Sequence, residues 1–195
     1  IALDVQYVQI APGASLERAA REARYAAFCE LMVPGEVLLL AQHQDDQAET
    51  LLYRLLRGAG VRGLAAMAHS RRLGAGHAVR PLLDVPRKAL EAYAASQGLG
   101  WVEDPSNSDS GFARNFLRQD ILPRLAARWP GASAVLARAA AHQAEAQVLL
   151  QELAEIDLRR AQRRLGVPWL NIACLDLQVL RQLSEARQRN LLRHW

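Results

Sequence analysis

Two kinds of hydrophobic pattern alternate along the first part of the chain. Short apolar or alternating segments bounded by turn residues predict strands at VQYVQI (5–10), EVLLLA (36–41) and AVRPL (78–82). Segments rich in strong helix formers follow them and predict helices at 16–32, from about 46 to 57 and at 86–98. EVLLLA is apolar after its first residue, which is typical of a strand covered on both faces. This order of strands and helices predicts an α/β fold with a parallel sheet.

The pattern changes after Pro123. Residues 131–164 are rich in Ala, Leu, Arg and Gln and nearly free of helix breakers, which predicts one long helix. WLNIACL (169–175) interrupts it, and a last helix is predicted to begin near Asp176 or Leu177. The chain is therefore predicted to hold an α/β domain and then a helical domain, with the bounds 1–125 and 126–195.

The composition gives the chain a net positive charge and argues against a disordered or a membrane-spanning protein. Apolar residues make up 51% of the chain, enough for a hydrophobic core, and no apolar run is long enough to cross a bilayer. The net charge of +4 is carried by arginine together with a single lysine, Lys88. A polyanionic partner and a coding bias toward arginine both explain this surplus. Cys29 and Cys174 lie far apart in apolar surroundings, which predicts reduced thiols in a cytoplasmic protein. The lack of a long apolar run predicts that no membrane is among its partners.

The densest group of functional side chains follows the second predicted strand. The stretch AQHQDDQAETLLYRLLRGAG (41–60) places His43, Asp45, Asp46 and Glu49 between this strand and the next helix. In open α/β sheets, ligands bind beyond the carboxyl ends of the strands, where helix N-termini point outward. Carboxylates at such a place hold Mg²⁺ against a nucleotide phosphate or orient an attacking amine. The structural alternative is that Asp45 or Asp46 caps the helix and Glu49 completes a capping box.

Three blocks of sequence resemble one enzyme family. The block QHQDDQAETLLYRLLRGAGVRGLAAM is similar to a motif, HHxDDQAETxLxRLxRGxGxxGLxxM, of the bacterial tRNA(Ile)-lysidine synthetases, which belong to the PP-loop ATP pyrophosphatases. SLERAAREARYAAF upstream and RPLLDVPRKALEAYAASQGLGWVEDPSNSDSGFARNFLRQDILPRL downstream are similar to further motifs of that family. Together the resemblance covers about residues 15–125.

The resemblance implies a Rossmann-like N-terminal domain followed by helical C-terminal parts. It also implies ATP-dependent ligation of L-lysine to the wobble cytidine of the isoleucine tRNA with a CAU anticodon, which changes codon reading from AUG to AUA. In that reaction ATP adenylates the cytidine base, and the lysine ε-amine then displaces AMP. The implied cofactors are ATP and Mg²⁺, the implied partners are this tRNA and L-lysine, and a homodimer is a further expectation.

Functional residues carry over from the family by position. Asp46 and Glu49 match its acidic pair and His43 matches its second histidine, so these three are the predicted catalytic residues, with Asp46 also a candidate Mg²⁺ ligand. The predicted substrate-binding or tRNA-binding residues are Arg21, Arg24, Arg54, Arg57, Arg114 and Asn115. The residues alone leave a structural alternative open, because arginines three apart on a helix also suit surface ion pairs or the helix C-terminal end.

Two departures from the family motif limit this prediction. Gln42 stands where the family has its first histidine, so this position has no imidazole to take up a proton. The phosphate-binding SGGxDS loop, a glycine-rich turn before a helix N-terminus, does not occur between Ile1 and Trp195. We therefore expect the chain to be part of a longer protein whose ATP-binding loop precedes Ile1, and we expect residues 1–195 alone to be inactive.

Two other functions stay open on the sequence. A tRNA thiolase of the PP-loop class shares the adenylation chemistry, although Cys29 and Cys174 lack the CxxC spacing expected of such an enzyme. A non-catalytic, basic tRNA-binding module is the third hypothesis, and the arginine surplus fits it as well.

Overall fold

The computed structural model describes residues 3–9, 16–102, 113–164 and 173–195. Its helices are α1 (Leu16–Leu31), α2 (Gln44–Leu55), α3 (Val61–Leu64), α4 (Arg87–Ser96), α5 (Ala113–Phe116), α6 (Leu122–Arg128), α7 (Ala132–Ala161), α8 (Leu177–Gln182) and α9 (Glu185–His194). A π-helical turn, Leu117–Ile121, joins α5 to α6. Its strands are β1 (Val37–Leu39), β2 (Ser70–Leu73), β3 (Gly76–Val79), β4 (Gln162–Arg164) and β5 (Ala173–Leu175).

These elements belong to two compact units. Unit 1 comprises Ile1–Gln47 and Met67–Asp109, and unit 2 comprises Ala48–Ala66 and Ser110–Trp195. Helix α2 begins in the first of these units and continues into the second. The division into domains after residue 125 stays a prediction.

Unit 1 contains a three-stranded sheet in the order β1-β3-β2. β1 and β3 are parallel, with Leu38 opposite Ala78, and β2 and β3 form an antiparallel hairpin. The β1–β3 pair agrees with the predicted parallel sheet. The hydrophobic pattern does not predict β2, because three of its four residues are polar and exposed. Gly76 allows β3 to approach β1, since a Cβ there would lie 2.2 Å from the carbonyl oxygen of Glu36.

Two of the strand predictions are wrong: one strand lies at a different position, and the other is not formed by the described residues. The strand predicted at 78–82 ends instead at Val79, because Pro81 has no N–H with which to continue the ladder. Residues 5–9 form no strand, and Tyr7 among them is 96% exposed, so no burial favours strand pairing there. Residue 10 of that prediction lies outside the described residues.

The predicted cover on both faces of β1 is also wrong for the described residues. Val37 is 55% exposed and Leu39 is 67% exposed. β1 lies at the edge of the described sheet, and these two side chains point to the same face because strand side chains alternate.

The predicted helices of unit 1 are confirmed, with ends close to their breakers. α1 stops at Leu31, ahead of Pro34 and Gly35. α4 stops at Ser96, and Gly98 beyond it adopts a φ of +64°, the left-handed conformation that favours glycine at a helix end.

Helix α7 is the longest element of unit 2 and packs against α3, α6, α8 and α9. Ala140, Ala154 and Ala161 are fully buried on it, and their small side chains allow close approach of the neighbouring helices. Asp157 on α7 is also fully buried and forms an ion pair with Arg187 of α9. Unit 2 is therefore held together by a helical core that includes this ion pair with a buried carboxylate.

The C-terminal part follows the prediction with two differences. The helix predicted at 131–164 is confirmed over Ala132–Ala161, and its last three residues form β4, which pairs antiparallel with β5. α8 begins at Leu177, as predicted, and Asp176 is its N-cap. The last helix is divided in two, because Ser184 begins α9 as a new N-cap.

Candidate active site

The turn between β1 and α2 is closed by His43 and Asp46 in unit 1. The backbone N–H of His43 donates to Asp46 Oδ2 at 3.0 Å, and the backbone N–H of Asp46 lies 3.4 Å from His43 Nδ1. This reciprocal pair has the form of a capping box in which histidine takes the place of serine or threonine. The structural alternative for this turn is therefore confirmed for Asp46. Its partner is His43, and Glu49 has no part in the box.

The same turn brings an imidazole close to two carboxylates. His43 Nε2 lies 3.5 Å from Asp46 Oδ2, and His43 Nδ1 lies 3.9 Å from Asp45 Oδ2. All three side chains are partly exposed. An imidazole beside carboxylates at the edge of a fold can take up or release a proton during a reaction.

Asp45 caps a different helix of unit 1. Its Oδ2 accepts from the backbone N–H of Arg87, the first residue of α4, at 2.8 Å. Next to it, the backbone N–H of Gln44 donates to the Val85 carbonyl oxygen at 3.0 Å. These bonds attach the start of α2 to the segment before α4, so the turn is held in place from two directions.

Gln42, the departure from the family motif, is bound to a buried arginine. Arg80 is 3% exposed, and its Nε donates to Gln42 Oε1 at 2.9 Å. Its Nη1 donates to the Ala68 carbonyl oxygen at 2.7 Å. Buried cations require such acceptors, so Gln42 serves as a neutral hydrogen-bond acceptor at this position. The sequence analysis missed Arg80, although its place at the start of the RPLL block was a signal.

Arg21, a predicted substrate-binding or tRNA-binding residue, lies against Tyr25. The guanidinium of Arg21 is 5.1 Å from the centre of the Tyr25 ring, and that of Arg71 is 4.8 Å away. Burial raises the pKa of the Tyr25 hydroxyl, but Arg21 and Arg71 together bring that pKa below its ordinary value. Arg24, one turn along α1, is exposed and lines a cavity of about 490 Å³ with the segment 3–9. Unit 1 therefore places the guanidinium groups of Arg21 and Arg71 around Tyr25, and Arg24 lies one turn further along α1.

Glu49 is buried in unit 2 and held by Arg118. It is 1% exposed, and Arg118 donates from Nε to Oε1 at 2.7 Å and from Nη2 to Oε2 at 3.0 Å. Two parallel bonds of this kind make a bidentate, charge-assisted pair. The prediction that Glu49 completes a capping box is therefore wrong, because a guanidinium 69 residues along the chain binds both of its oxygens.

Arg114, another predicted tRNA-binding residue, contacts the residue after Glu49. Its Nη2 lies 3.1 Å from Thr50 Oγ1, and Thr50 is 2% exposed. Asn115 follows it on α5 and is partly buried. Arg118 was missed by the sequence analysis, although RNFLR places it one helical turn after Arg114. Arg118 lies in the π-helical turn Leu117–Ile121, which the sequence pattern does not predict.

Arg54 and Arg57 have structural contacts in unit 2. Arg54 Nη1 donates to the carbonyl oxygens of Gly63 and Ala66, each at 2.9 Å, and thereby holds the turn at the end of α3. Arg57 is exposed, and its guanidinium lies 5.2 Å from the centre of the Tyr53 ring. The ligand-binding roles of both arginines stay predictions.

The predicted site residues are distributed over both units. Unit 1 holds Arg21, Arg24, His43 and Asp46, and unit 2 holds Glu49, Arg54, Arg57, Arg114 and Asn115. Within the described ranges, no group of three or more His, Cys, Asp or Glu side chains could hold a metal ion. No helix in the described part of the chain is long and apolar enough to cross a membrane.

Comparison with known proteins supports the family resemblance. Residues 1–125 match the family model of the PP-loop domain, and residues 175–195 match that of the TilS substrate binding domain. Proteins named tRNA(Ile)-lysidine synthase are 59% identical over the whole chain in Pseudomonas syringae pv. tomato and 47% identical over 96% of it in Coxiella burnetii. The corresponding protein of Pseudomonas aeruginosa is 60% identical over the whole chain. The matches cover 44%, 40% and 45% of these three relatives, so the chain spans less than half of their length.

The PP-loop match confirms the predicted Rossmann-like α/β fold class, and the parallel β1–β3 pair is consistent with it. The resemblance to tRNA(Ile)-lysidine synthases is likewise confirmed by identity along the whole chain. With the PP-loop domain matched over residues 1–125, the chain belongs to the PP-loop family.

Proposed function

We propose that the protein is an ATP-dependent ligase that joins L-lysine to the wobble cytidine of the isoleucine tRNA with a CAU anticodon. Identity of about three residues in five with proteins named tRNA(Ile)-lysidine synthase, sustained over the whole chain, is the observation that carries this proposal. ATP would first transfer its AMP group to the cytidine base with release of pyrophosphate. The lysine ε-amine would then form a C–N bond to the base as AMP leaves. The modified anticodon would read AUA in place of AUG.

The turn at the start of α2 supplies suitable groups for the amine step. The ε-amine must lose protons as the C–N bond forms, and the His43 imidazole can accept one. Asp45 and Asp46, which lie within 4 Å of that imidazole, place negative charge where an ammonium group would approach. All three side chains are partly exposed, so a substrate can reach them. These contacts support His43 and Asp46 as catalytic residues. Glu49 is proposed as a catalytic residue on the family resemblance alone.

The arginines would bind the RNA or the lysine carboxylate. Arg21, Arg24 and Arg57 are exposed, as a phosphate ligand requires. Arg114 and Asn115, both on α5, and Arg54 on α2 complete the proposed set in unit 2.

Magnesium fits the turn at Asp46 only if substrate phosphates and water supply most of its ligands. Asp46 would hold it through one carboxylate, and Mg²⁺ is commonly bound by one or two carboxylates together with substrate phosphates and water. When bound, the ion would neutralise charge on the phosphates of ATP. Since Asp46 Oδ2 already accepts from the His43 N–H, the residue would serve the helix and the ion together.

The setting of the reaction is part of the same proposal. We place the protein in the cytoplasm, where the tRNA partner occurs and where free thiols such as Cys29 and Cys174 stay reduced. A homodimer is also proposed, and light scattering of the purified protein would test it. The thiolase and the non-catalytic module are not favoured, because the relatives are lysidine synthases along the whole chain.

The direct test is ligation by the protein expressed from its complete gene. We expect radiolabelled lysine to enter the CAU-anticodon isoleucine tRNA only when ATP is present. The matched control is the same tRNA with uridine in place of the wobble cytidine, which should take up no label. No transfer of lysine to the cytidine-containing tRNA would contradict the proposal, and thiolation of it would favour the thiolase alternative.

A further inference from the structure

Unit 2 contains a basic cavity that the proposed chemistry does not use. This cavity, called the α3–α9 cavity, has a volume of about 730 Å³ and is lined by residues of α3, α7 and α9. Its basic residues are Arg62 on α3 and Arg193 and His194 on α9. Its amide side chains are Gln147, Gln151 and Asn190.

The basic side chains of the cavity have no partner in the described part of the chain. Arg62, Arg193 and His194 form no ion pair and no side-chain hydrogen bond with another described residue. Arg189 on the same helix α9 differs, because it pairs with Glu185 at 3.2 Å. The cavity therefore brings together three basic side chains without an acidic partner in the described residues, one from α3 and two from α9.

The lining selects an anion as the ligand. No Asp or Glu occurs among the lining residues, so no carboxylate in the wall repels a negative charge. Arginine forks bind phosphate oxygens through two parallel bonds, and the amides can donate further hydrogen bonds. Leu150 adds an apolar side chain against which a ribose or a base can pack. A volume of this size is typical of sites for whole small ligands, so it suits a nucleotide unit better than a single ion.

The position of the cavity favours RNA over a free nucleotide. Arg193 and His194 lie in residues 175–195, which match the TilS substrate binding domain. Arg62 lies in residues 1–125, which match the PP-loop domain. The cavity thus combines residues from both matched regions within unit 2.

We propose that the α3–α9 cavity binds a backbone phosphate of the tRNA, with Arg62 and Arg193 as its phosphate ligands. This inference rests on the proposed function, because it takes tRNA as the partner. His194 and the amides hold the neighbouring sugar or base. The contact lies outside the predicted catalytic residues, so it contributes to the affinity for tRNA and to its placement, and not to ATP binding.

The test measures tRNA binding by the protein from the complete gene, with Arg62→Gln and Arg193→Gln made singly and together. Each single variant should weaken binding roughly fivefold, and each should lower the slope of log affinity against log salt by about 0.7 to 0.9, as expected for one lost phosphate contact. Circular dichroism would check the fold, which should be unchanged because both arginines are exposed.

Arg189→Gln is the matched control. It removes the same charge from the same helix, but Arg189 does not line the cavity, so its affinity and salt slope should stay close to wild type. Equal losses in all three variants would mean diffuse surface charge and would overturn the site. Unchanged affinity in Arg62→Gln and Arg193→Gln would overturn it as well.

Titration with ATP alone separates RNA from a free nucleotide. The two cavity variants should bind ATP as wild type does. If they lose ATP binding and keep tRNA binding, the cavity is a nucleotide site and the RNA assignment is wrong. If the wild-type protein binds no tRNA at all, the proposed function itself fails, and that outcome is distinct from failure of the cavity variants alone.

Discussion

The first turn of α2 and the turn that follows it use polar side chains in different ways. In the first turn, Asp45 and Asp46 accept from backbone N–H groups and remain partly exposed. In the next turn, Glu49 is buried, and its partner is the guanidinium of Arg118. One motif therefore contains carboxylates that cap helices and a carboxylate that joins distant parts of unit 2.

The carboxylates of the two turns therefore differ in how much they stabilise the fold and in whether a substrate can reach them. A capping aspartate contributes about 1 kcal/mol and stays where a ligand can meet it. A buried carboxylate in a bidentate pair is strongly coupled to the fold, so removing its partner leaves an uncompensated charge. Any role of Glu49 in catalysis is therefore combined with a structural one, whereas Asp46 can be changed with little effect on the fold.

The largest loss of stability is expected for Arg118→Ala. Because the change leaves Glu49 buried without its bidentate partner, we expect the free energy of unfolding to fall by about 3 kcal/mol. Urea unfolding of the protein measures this loss. Arg124→Ala on α6, at an exposed position of the same unit, is the control and should change the stability by less than about 0.5 kcal/mol. Equal effects of the two variants would show that the Glu49–Arg118 pair does not stabilise the fold.

A smaller loss is expected for Asp45→Ala, which removes the acceptor for the Arg87 N–H at the start of α4. We expect a loss of about 1 kcal/mol, the usual contribution of a helix cap. Asp45→Asn keeps an oxygen that can accept the same bond, so it should recover most of this stability. Thermal unfolding would measure both. If Asp45→Asn is as unstable as Asp45→Ala, the effect of Asp45 comes from its charge and not from the cap.

The smallest effect on stability is expected for Arg71→Gln, which should move the titration of Tyr25. The pKa of the Tyr25 hydroxyl is lowered in the folded protein. Ionisation of Tyr25 therefore stabilises the fold fully only above the ordinary tyrosine pKa of about 10. This stabilisation is lost as the pH falls through the lowered pKa. At neutral pH the variant should keep wild-type stability. NMR of ring-labelled tyrosine should show the Tyr25 pKa rising toward its ordinary value in Arg71→Gln. An unchanged titration would mean that Arg71 does not act on the ring.

Local patterns in the sequence predicted the elements and the capping turn better than they predicted the partners. The helices at α1, α4 and α7 follow from helix formers and from breakers such as Gly98, which act within a few residues. The capping box at Asp46 was open to sequence reasoning because its partner is three residues away. A signal of this kind needs no knowledge of the fold.

Long-range contacts could not be predicted in the same way. The Glu49–Arg118 pair joins residues that are 69 apart, and the Gln42–Arg80 bond joins residues that are 38 apart. RNFLR places Arg118 one helical turn after Arg114, but this local pattern does not show that Glu49 is its partner. The family resemblance indicated that Glu49 matters, but only the fold shows which side chain binds it.

The most direct test of the central claim compares lysine ligation by Asp46→Asn with that by the wild-type protein. The asparagine oxygen can still accept from the His43 N–H, so we expect the stability to stay within about 0.5 kcal/mol of wild type, whereas Asp46→Ala should lose about 1 kcal/mol. We expect Asp46→Asn nevertheless to reduce ligation by about 100-fold or more, because it removes the carboxylate charge from the site. Near-normal ligation by Asp46→Asn would contradict the account, because Asp46 would then serve only as a helix cap.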